Sequence, residues 1–241
     1  MTHHLGQASS MSDHSITVDL LRIVQTYLKP CQSRSPGVAE VLEKLDFHLT
    51  YSQLELDIKP SVPIDKEALL DQSITAITDK ALQPIAKQLE QARNKLTWRI
   101  DNGLFYSERA NVGESYRSGN MHSELIGPEG CVFRDESFRL GLFILAPTTL
   151  YRDHNHTAPE LYINLTGPCG WRFSPKDWQD FNAGSLIWNP SGLTHATRTY
   201  QQPMLSIYSW TKDIKSQCSV IPMDDWSGIE RQLTNEKSQN L

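Results

Sequence analysis

The strongest constraint on the fold is a change of texture near residue 96. Before it, apolar residues recur at helical spacing; after it, short β-rich runs are broken by Gly, Pro and Asn. Ile16, Leu20, Ile23, Val24, Tyr27 and Leu28 share one helical face, which predicts a helix over 16–28 stopped by Pro30. Beyond the turn-forming SRSPG, Val38, Val41, Leu42, Leu45 and Leu49 predict a second helix over 38–49. A third pattern covers 64–94, where Pro84 is expected to split or kink it. The runs LTWRI, SELIG, FRLGLFILAP, ELYINLTG, GWRF, GSLIWNP, HATRTY and MLSIYSW then predict many short strands, hence a sandwich or barrel. Residues 1–14 are expected to be a flexible tail, 15–95 a helical region packed on the barrel, and 96–241 the barrel. A polar strap from about Lys212 is expected to close the chain in a frayed tail.

Composition narrows the function. A net charge of −5 and the absence of a basic recognition helix argue against nucleic-acid binding. No run of 18 apolar residues suggests a membrane span, and the first residues lack a basic and then apolar leader pattern, so a cytoplasmic location is expected. Cysteines 31, 131, 169 and 218 stand far apart with no CxxC pair, which predicts reduced, buried thiols.

Two segments carry chemistry. In YRDHNHTAPELYINLTG, His154 and His156 share a strand face at period two, and Glu160 follows four residues on. In GSLIWNPSGLTH, His195 stands just past a Pro-Ser-Gly turn. Imidazoles with one carboxylate suit a divalent transition metal, iron, manganese, zinc, nickel or cobalt. The absence of Cys from the set favours an open catalytic site over a closed structural one.

These segments resemble the two signatures of the cupin superfamily. His154, His156, Glu160 and Gly167 fit the first, with Thr148 where its leading Gly is expected. Gly184, Pro190, Gly192 and His195 fit the second, with Thr199 in place of its Asn. The resemblance implies a mainly β fold, the double-stranded β-helix or jelly-roll barrel, here with an N-terminal α-helical region. Tyr151, Tyr162 and Trp210 around this core make the chain similar to cupin-type dimethylsulfoniopropionate lyases.

That similarity implies metal ligation by His156, Glu160, Tyr162 and His195, with His154 either a ligand or a neighbour that orients one. It implies Tyr151 as the base, Tyr162 as a second catalytic candidate, and Tyr151, His154 and Trp210 around the substrate. The implied reaction is β-elimination of a small zwitterionic sulfonium to dimethyl sulfide and acrylate. A metal and aromatic faces serve the two charged ends of such a substrate. The rival expectations are an iron-dependent cupin dioxygenase acting on a small carboxylate or thiol, and a ligand-sensing cupin that binds DNA. A homodimer through an apolar helix face stays open. His48 and His122 have no partners in sequence and are expected as ordinary core or surface residues, and Trp171, Trp178 and Trp188 as packing or rim residues.

Overall fold

Four helices come first: α1 (His3–Leu28), α2 (Pro36–Tyr51), α3 (Glu67–Thr75) and α4 (Gln83–Ala92). The computed structural model describes residues 3–55, 58–101, 104–107 and 109–238, with side chains from 15 to 235. α1 runs back through most of the segment expected as a tail, and Met1 and Thr2 lie outside the described residues. The third helical pattern does divide, but Pro84 begins α4 instead of kinking a continuous helix. At the first turn its missing N–H costs nothing. The break itself is a short turn in which the Asp79 carboxylate accepts the Ala81 N–H at 2.7 Å.

After a one-turn helix α5 (Glu114–Gly119), eleven strands follow: β1 (Asn120–Gly127), β2 (Phe133–Arg134), β3 (Arg139–Leu145), β4 (Leu150–Asn155), β5 (Glu160–Asn164), β6 (Cys169–Phe173), β7 (Gln179–Phe181), β8 (Leu186–Asn189), β9 (His195–Arg198), β10 (Met204–Trp210) and β11 (Ser219–Val220). They form two sheets, in the orders β2-β1-β3-β10-β5-β8 and β11-β4-β9-β6-β7. The expected strand in LTWRI is absent: Thr97 and Arg99 each make only an isolated bridge, to Ser61 and His122.

Period-two alternation decides what each sheet face packs against. On the six-stranded sheet, Leu140, Leu142, Ile144, Leu161, Ile163, Leu205 and Ile207 point outward. They meet Leu20, Leu21, Val24 and Leu28 of α1 and Val38, Val41 and Leu45 of α2 in one apolar cluster. Each such side chain contributes about 1.5–3 kcal/mol by leaving water. α2 comes close because Gly37 has no Cβ where the Trp188 ring lies.

The five-stranded sheet is backed differently. The polar stretch expected as a strap ends in a helix, α6 (Trp226–Ser238), whose Trp226, Ile229 and Leu233 cover Leu150; residues 239–241 lie outside the described residues. The many polar residues of this segment hid the helix, since three apolar residues at helical spacing are enough to dock it. The inward faces of both sheets enclose a second cluster, including Phe143, Tyr151, Tyr162, Trp171, Tyr208 and Trp210. All four cysteines are free and buried. No described helix is long and apolar enough to cross a membrane.

Candidate metal centre and active site

The site lies between the sheets, and the two signature segments are physically tied. The Gly192 N–H donates to the His156 carbonyl at 2.9 Å, so the turn that launches β9 is hooked to the end of the first motif. Gly192 sits at φ +76°, a conformation glycine adopts without a Cβ penalty. Thr148 occupies the same left-handed region at φ +56°, which explains why a Gly is expected at that position. Thr199, in place of the expected Asn, donates through Oγ1 to the Ala146 carbonyl at 2.7 Å and accepts the Thr149 N–H at 2.8 Å, closing the start of β4.

His154, His156 and His195 converge: one ligand nitrogen from each lies within 4.8 Å of the others, all in buried surroundings. Their Nδ1 atoms are 2.7, 2.7 and 2.9 Å from the carbonyls of Arg152, Ala158 and Leu193. A carbonyl only accepts, so each Nδ1 carries the proton, which leaves the Nε2 lone pairs of His154 and His195 open while His156 Nε2 faces the Glu160 carboxylate. Metal-ligating histidines are held in this way. His195 Nε2 is buried without a hydrogen-bond partner among the described residues. Such an atom costs about 1–3 kcal/mol unless a ligand satisfies it.

Glu160 completes the polar side. Its Oε2 is 3.2 Å from His156 Nε2 and 3.6 Å from His195 Nε2. Trp210 donates its indole N–H to Oε1 at 2.8 Å. Burial pushes the Glu160 carboxyl up, but the His156 hydrogen bond and the nearby His156 and His195 rings hold it well below the usual carboxylate range. Burial and the neighbouring imidazoles push His154 well below its ordinary value, so it is neutral. For His156, burial lowers the pKa, but the Glu160 hydrogen bond and charge outweigh it and raise the value. An anionic carboxylate beside imidazole lone pairs fits a divalent cation, and these residues could hold one.

Tyr151 and His154 are three residues apart, so a regular strand would put them on opposite faces. A register shift between them in the β4–β9 pairing brings both inward. The Tyr151 ring is stacked between Tyr116 at 4.3 Å and His154 at 4.2 Å. Burial, and then Tyr106 and Tyr116, push its pKa well above 10. Tyr162 is inward from β5, 4.9 Å from the Trp171 ring, and burial followed by the Glu160 charge raises its pKa as well. Both tyrosines, Trp210, His154, His156 and Glu160 line one cavity, with His195 Nε2 beside it at 3.6 Å from Glu160 Oε2.

Phe105, His122, Tyr208 and Cys218 line that cavity too, and sequence reasoning missed them. His122 had one faint signal, its period-two phase with Glu124, but β1 begins three residues before the run SELIG. Trp210 also does more than wall the pocket, because it fixes Glu160. The other tryptophans pack: Trp171 inside the barrel, and Trp178 beneath Arg172 and Arg198 at 4.8 and 4.6 Å.

Two antiparallel sheets around buried imidazoles, behind an N-terminal helical region, define a cupin-like fold with a three-histidine metal-binding group. Residues 30–206 match the dimethylsulfoniopropionate lyase family, and the chain belongs to that family. It is 30% identical over 92 residues to the dimethylsulfoniopropionate lyase DddQ of Ruegeria pomeroyi, covering 38% of this chain and 45% of that protein. It is 32% identical over 133 residues to DddL of Cereibacter sphaeroides, covering 54% of this chain and 52% of that one. The chain therefore spans about half the length of the curated relatives it matches. The crystal structure of the Ruegeria pomeroyi DddQ superposes with a TM-score of 0.63 at 22% identity, covering 83% of this chain and 95% of that one, which shows the shared fold.

Proposed function

We propose that this protein is a metal-dependent carbon–sulfur lyase that cleaves dimethylsulfoniopropionate to dimethyl sulfide and acrylate. One observation carries the proposal: three buried imidazoles, each with Nδ1 tied to a backbone carbonyl, converge beside Glu160 at an aromatic cavity that His154, His156 and Glu160 line. Membership of the lyase family supports it.

His154, His156, Glu160 and His195 would hold the ion, and Tyr162 lies two residues beyond Glu160 on the same strand face. A bound dication supplies a Lewis acid for the substrate carboxylate and a field that favours phenolate over phenol. First-row divalent ions from manganese to zinc all suit these donors, so availability selects among them. Tyr151 takes the proton from the carbon next to the carboxylate. That C–H pair becomes the second bond of acrylate, the bond from the β-carbon to sulfur breaks, and its electrons leave on neutral dimethyl sulfide. The rings of Tyr208 and Trp210 offer the sulfonium an electron-rich wall. Burial keeps water from the carbanion-like charge.

The test is headspace detection of dimethyl sulfide, with acrylate quantified in parallel, from metal-loaded and chelator-treated protein. Equimolar, chelator-sensitive release supports the proposal. Silence with each of the five candidate metals would overturn it in favour of the oxygen-dependent rival.

A further inference from the structure

A second cluster of chemistry-bearing side chains stands outside the imidazole cavity, where α2 backs the six-stranded sheet. His48 of α2 is 2% exposed, and its ring packs with Phe133 at 5.5 Å and Phe138 at 6.2 Å. Both of its nitrogens are engaged: Nε2 lies 2.9 Å from Asp135 Oδ2, and Nδ1 lies 2.8 Å from the Ser52 hydroxyl. Local structure sets each contact. Ser52 caps the C-terminal end of α2, one turn beyond His48, and the turn between β2 and β3 delivers Asp135. The Ser137 N–H and hydroxyl donate to Asp135 Oδ1 at 2.6 and 2.7 Å, which turns Oδ2 to the imidazole.

The direction of each hydrogen bond follows from what the groups can do. Burial raises the Asp135 pKa, but the Ser137 and His48 hydrogen bonds outweigh it, so the carboxylate is ionised at neutral pH and only accepts. In the neutral imidazole the proton therefore sits on Nε2, and the Nδ1 lone pair accepts the Ser52 O–H. A hydroxyl donating to an imidazole that a carboxylate orients from behind is the arrangement that activates a serine, recognised by geometry and not by chain order. Ser52 is also reachable. It is half-buried and lines an open groove of about 510 Å³ together with Lys44 and Phe47, whose ring is 54% exposed. Lys44 stands one turn before His48 on the same face of α2, with its ammonium 3.5 Å from Ser137 Oγ, and brings positive charge to the groove. None of the residues lining this groove lines the imidazole cavity.

We propose that Ser52, His48 and Asp135 form a second reactive centre, a serine nucleophile for acyl transfer from small carboxylic esters. Ser52 Oγ attacks the acyl carbon as its proton passes to His48 Nδ1, and Lys44 offsets the charge that develops on the acyl oxygen. The bond to the alcohol oxygen then breaks, and His48 returns the proton to that oxygen. Water repeats the sequence on the acyl-serine, releasing the carboxylic acid and restoring Ser52. This centre is independent of the lyase proposal, because it shares no residue with the metal-binding group.

The test is labelling of the full metal-loaded chain with an alkyl fluorophosphonate, from which the Ser52 oxygen displaces fluoride, with the labelled peptides identified by mass spectrometry. Ser137 is the internal control, since it lines the same groove but its hydroxyl meets a carboxylate instead of an imidazole nitrogen. Ser52 should label about 10²-fold faster than Ser137, the lower end of what a positioned general base contributes. Asp135→Asn should slow Ser52 labelling by about 10²-fold or more, because an amide that donates to Nε2 moves the ring proton to Nδ1, where it blocks the base. Ser52→Ala, at an exposed helix end, carries the test where Asp135→Asn does not fold: it should lose both the label and the acetyl group that 4-nitrophenyl acetate leaves on the Ser52 peptide of wild type. Equal labelling of Ser52 and Ser137, or Ser52 labelling undiminished in Asp135→Asn, would overturn the assignment.

Discussion

The two sheets that wall the cavity are held from behind by opposite physics. The six-stranded sheet rests on α1–α4 through apolar side chains alone at its centre, and it presents Glu160, Tyr162, Tyr208 and Trp210 inward. The five-stranded sheet carries Tyr151 and all three imidazoles, and a charged knot clamps its outer face. There Asp153, fully buried, takes Arg172 at 3.0 and 2.5 Å and the Trp226 indole N–H at 2.8 Å. Arg172 also reaches Asp225 at 2.5 Å, and Arg152 pairs with Glu230 at 2.7 Å. Apolar backing tolerates small slips, whereas a hydrogen-bonded carboxylate fixes its strand in register and direction. The strand that aims metal ligands and the proposed base is the one with directional support.

The sheets should therefore respond differently to substitution. Tyr151→Phe on the five-stranded sheet should lower kcat by about 10²–10⁴-fold, the usual size of a lost general base, with metal content unchanged. Tyr162→Phe on the other sheet should act on metal affinity first. Turnover and elemental analysis of both variants check the division, and full activity of a metal-loaded Tyr151→Phe protein would remove Tyr151 as the base.

Behind the sheets, Asp153→Asn should cost about 3–5 kcal/mol by leaving the Arg172 charge without its buried partner. It should also weaken metal binding, because β4 loses its clamp. Leu142→Ala should cost a comparable amount, about 2–5 kcal/mol, through a cavity while leaving metal affinity unchanged. Denaturant titration beside metal titration reads both. Equal effects on metal affinity would erase the contrast between the sheets.

A smaller effect lies where α2 meets the six-stranded sheet. His48 Nε2 is 2.9 Å from the Asp135 carboxylate and its Nδ1 is 2.8 Å from the Ser52 hydroxyl, a polar joint at the edge of the apolar seam. Burial raises the Asp135 pKa, but the Ser137 hydroxyl and N–H and then His48 outweigh it and lower the value below 3.8. A depressed folded pKa contributes stability above the unfolded value that is lost as pH falls through the folded one. Melting temperature followed from about pH 7 to about pH 2.5 should show an acid limb that Asp135→Asn shortens. Smallest of all, Thr148→Gly should raise stability by less than about 1 kcal/mol, relieving left-handed backbone strain at the expense of a floppier unfolded chain.

Much of this was legible in the sequence because it depends on spacing. The His154–His156 parity and the Pro-Ser-Gly turn before His195 are local patterns, and local patterns survive without a fold. The inward turn of Tyr151 was not legible, because it needs a register shift in a pairing with β9 some 40 residues away in the chain. Nor was the reach of Trp210 to Glu160, which follows from the β10–β5 register that sets the two residues opposite each other. His122 was hidden for the same reason: its neighbours Phe105, Phe143 and Tyr208 come from three separate segments. Helix α6 was passed over because the polar residues around them mask three well-spaced apolar ones.

The central claim is that the three imidazoles hold an ion on which cleavage depends. The direct test is stepwise metal addition to chelator-treated protein, with bound metal and dimethyl sulfide release read at each step for wild type and His195→Ala. Activity should rise in proportion to occupancy and level off at one ion per chain, while His195→Ala neither fills nor turns over. Dimethyl sulfide released at zero occupancy, or undiminished in His195→Ala, would contradict it.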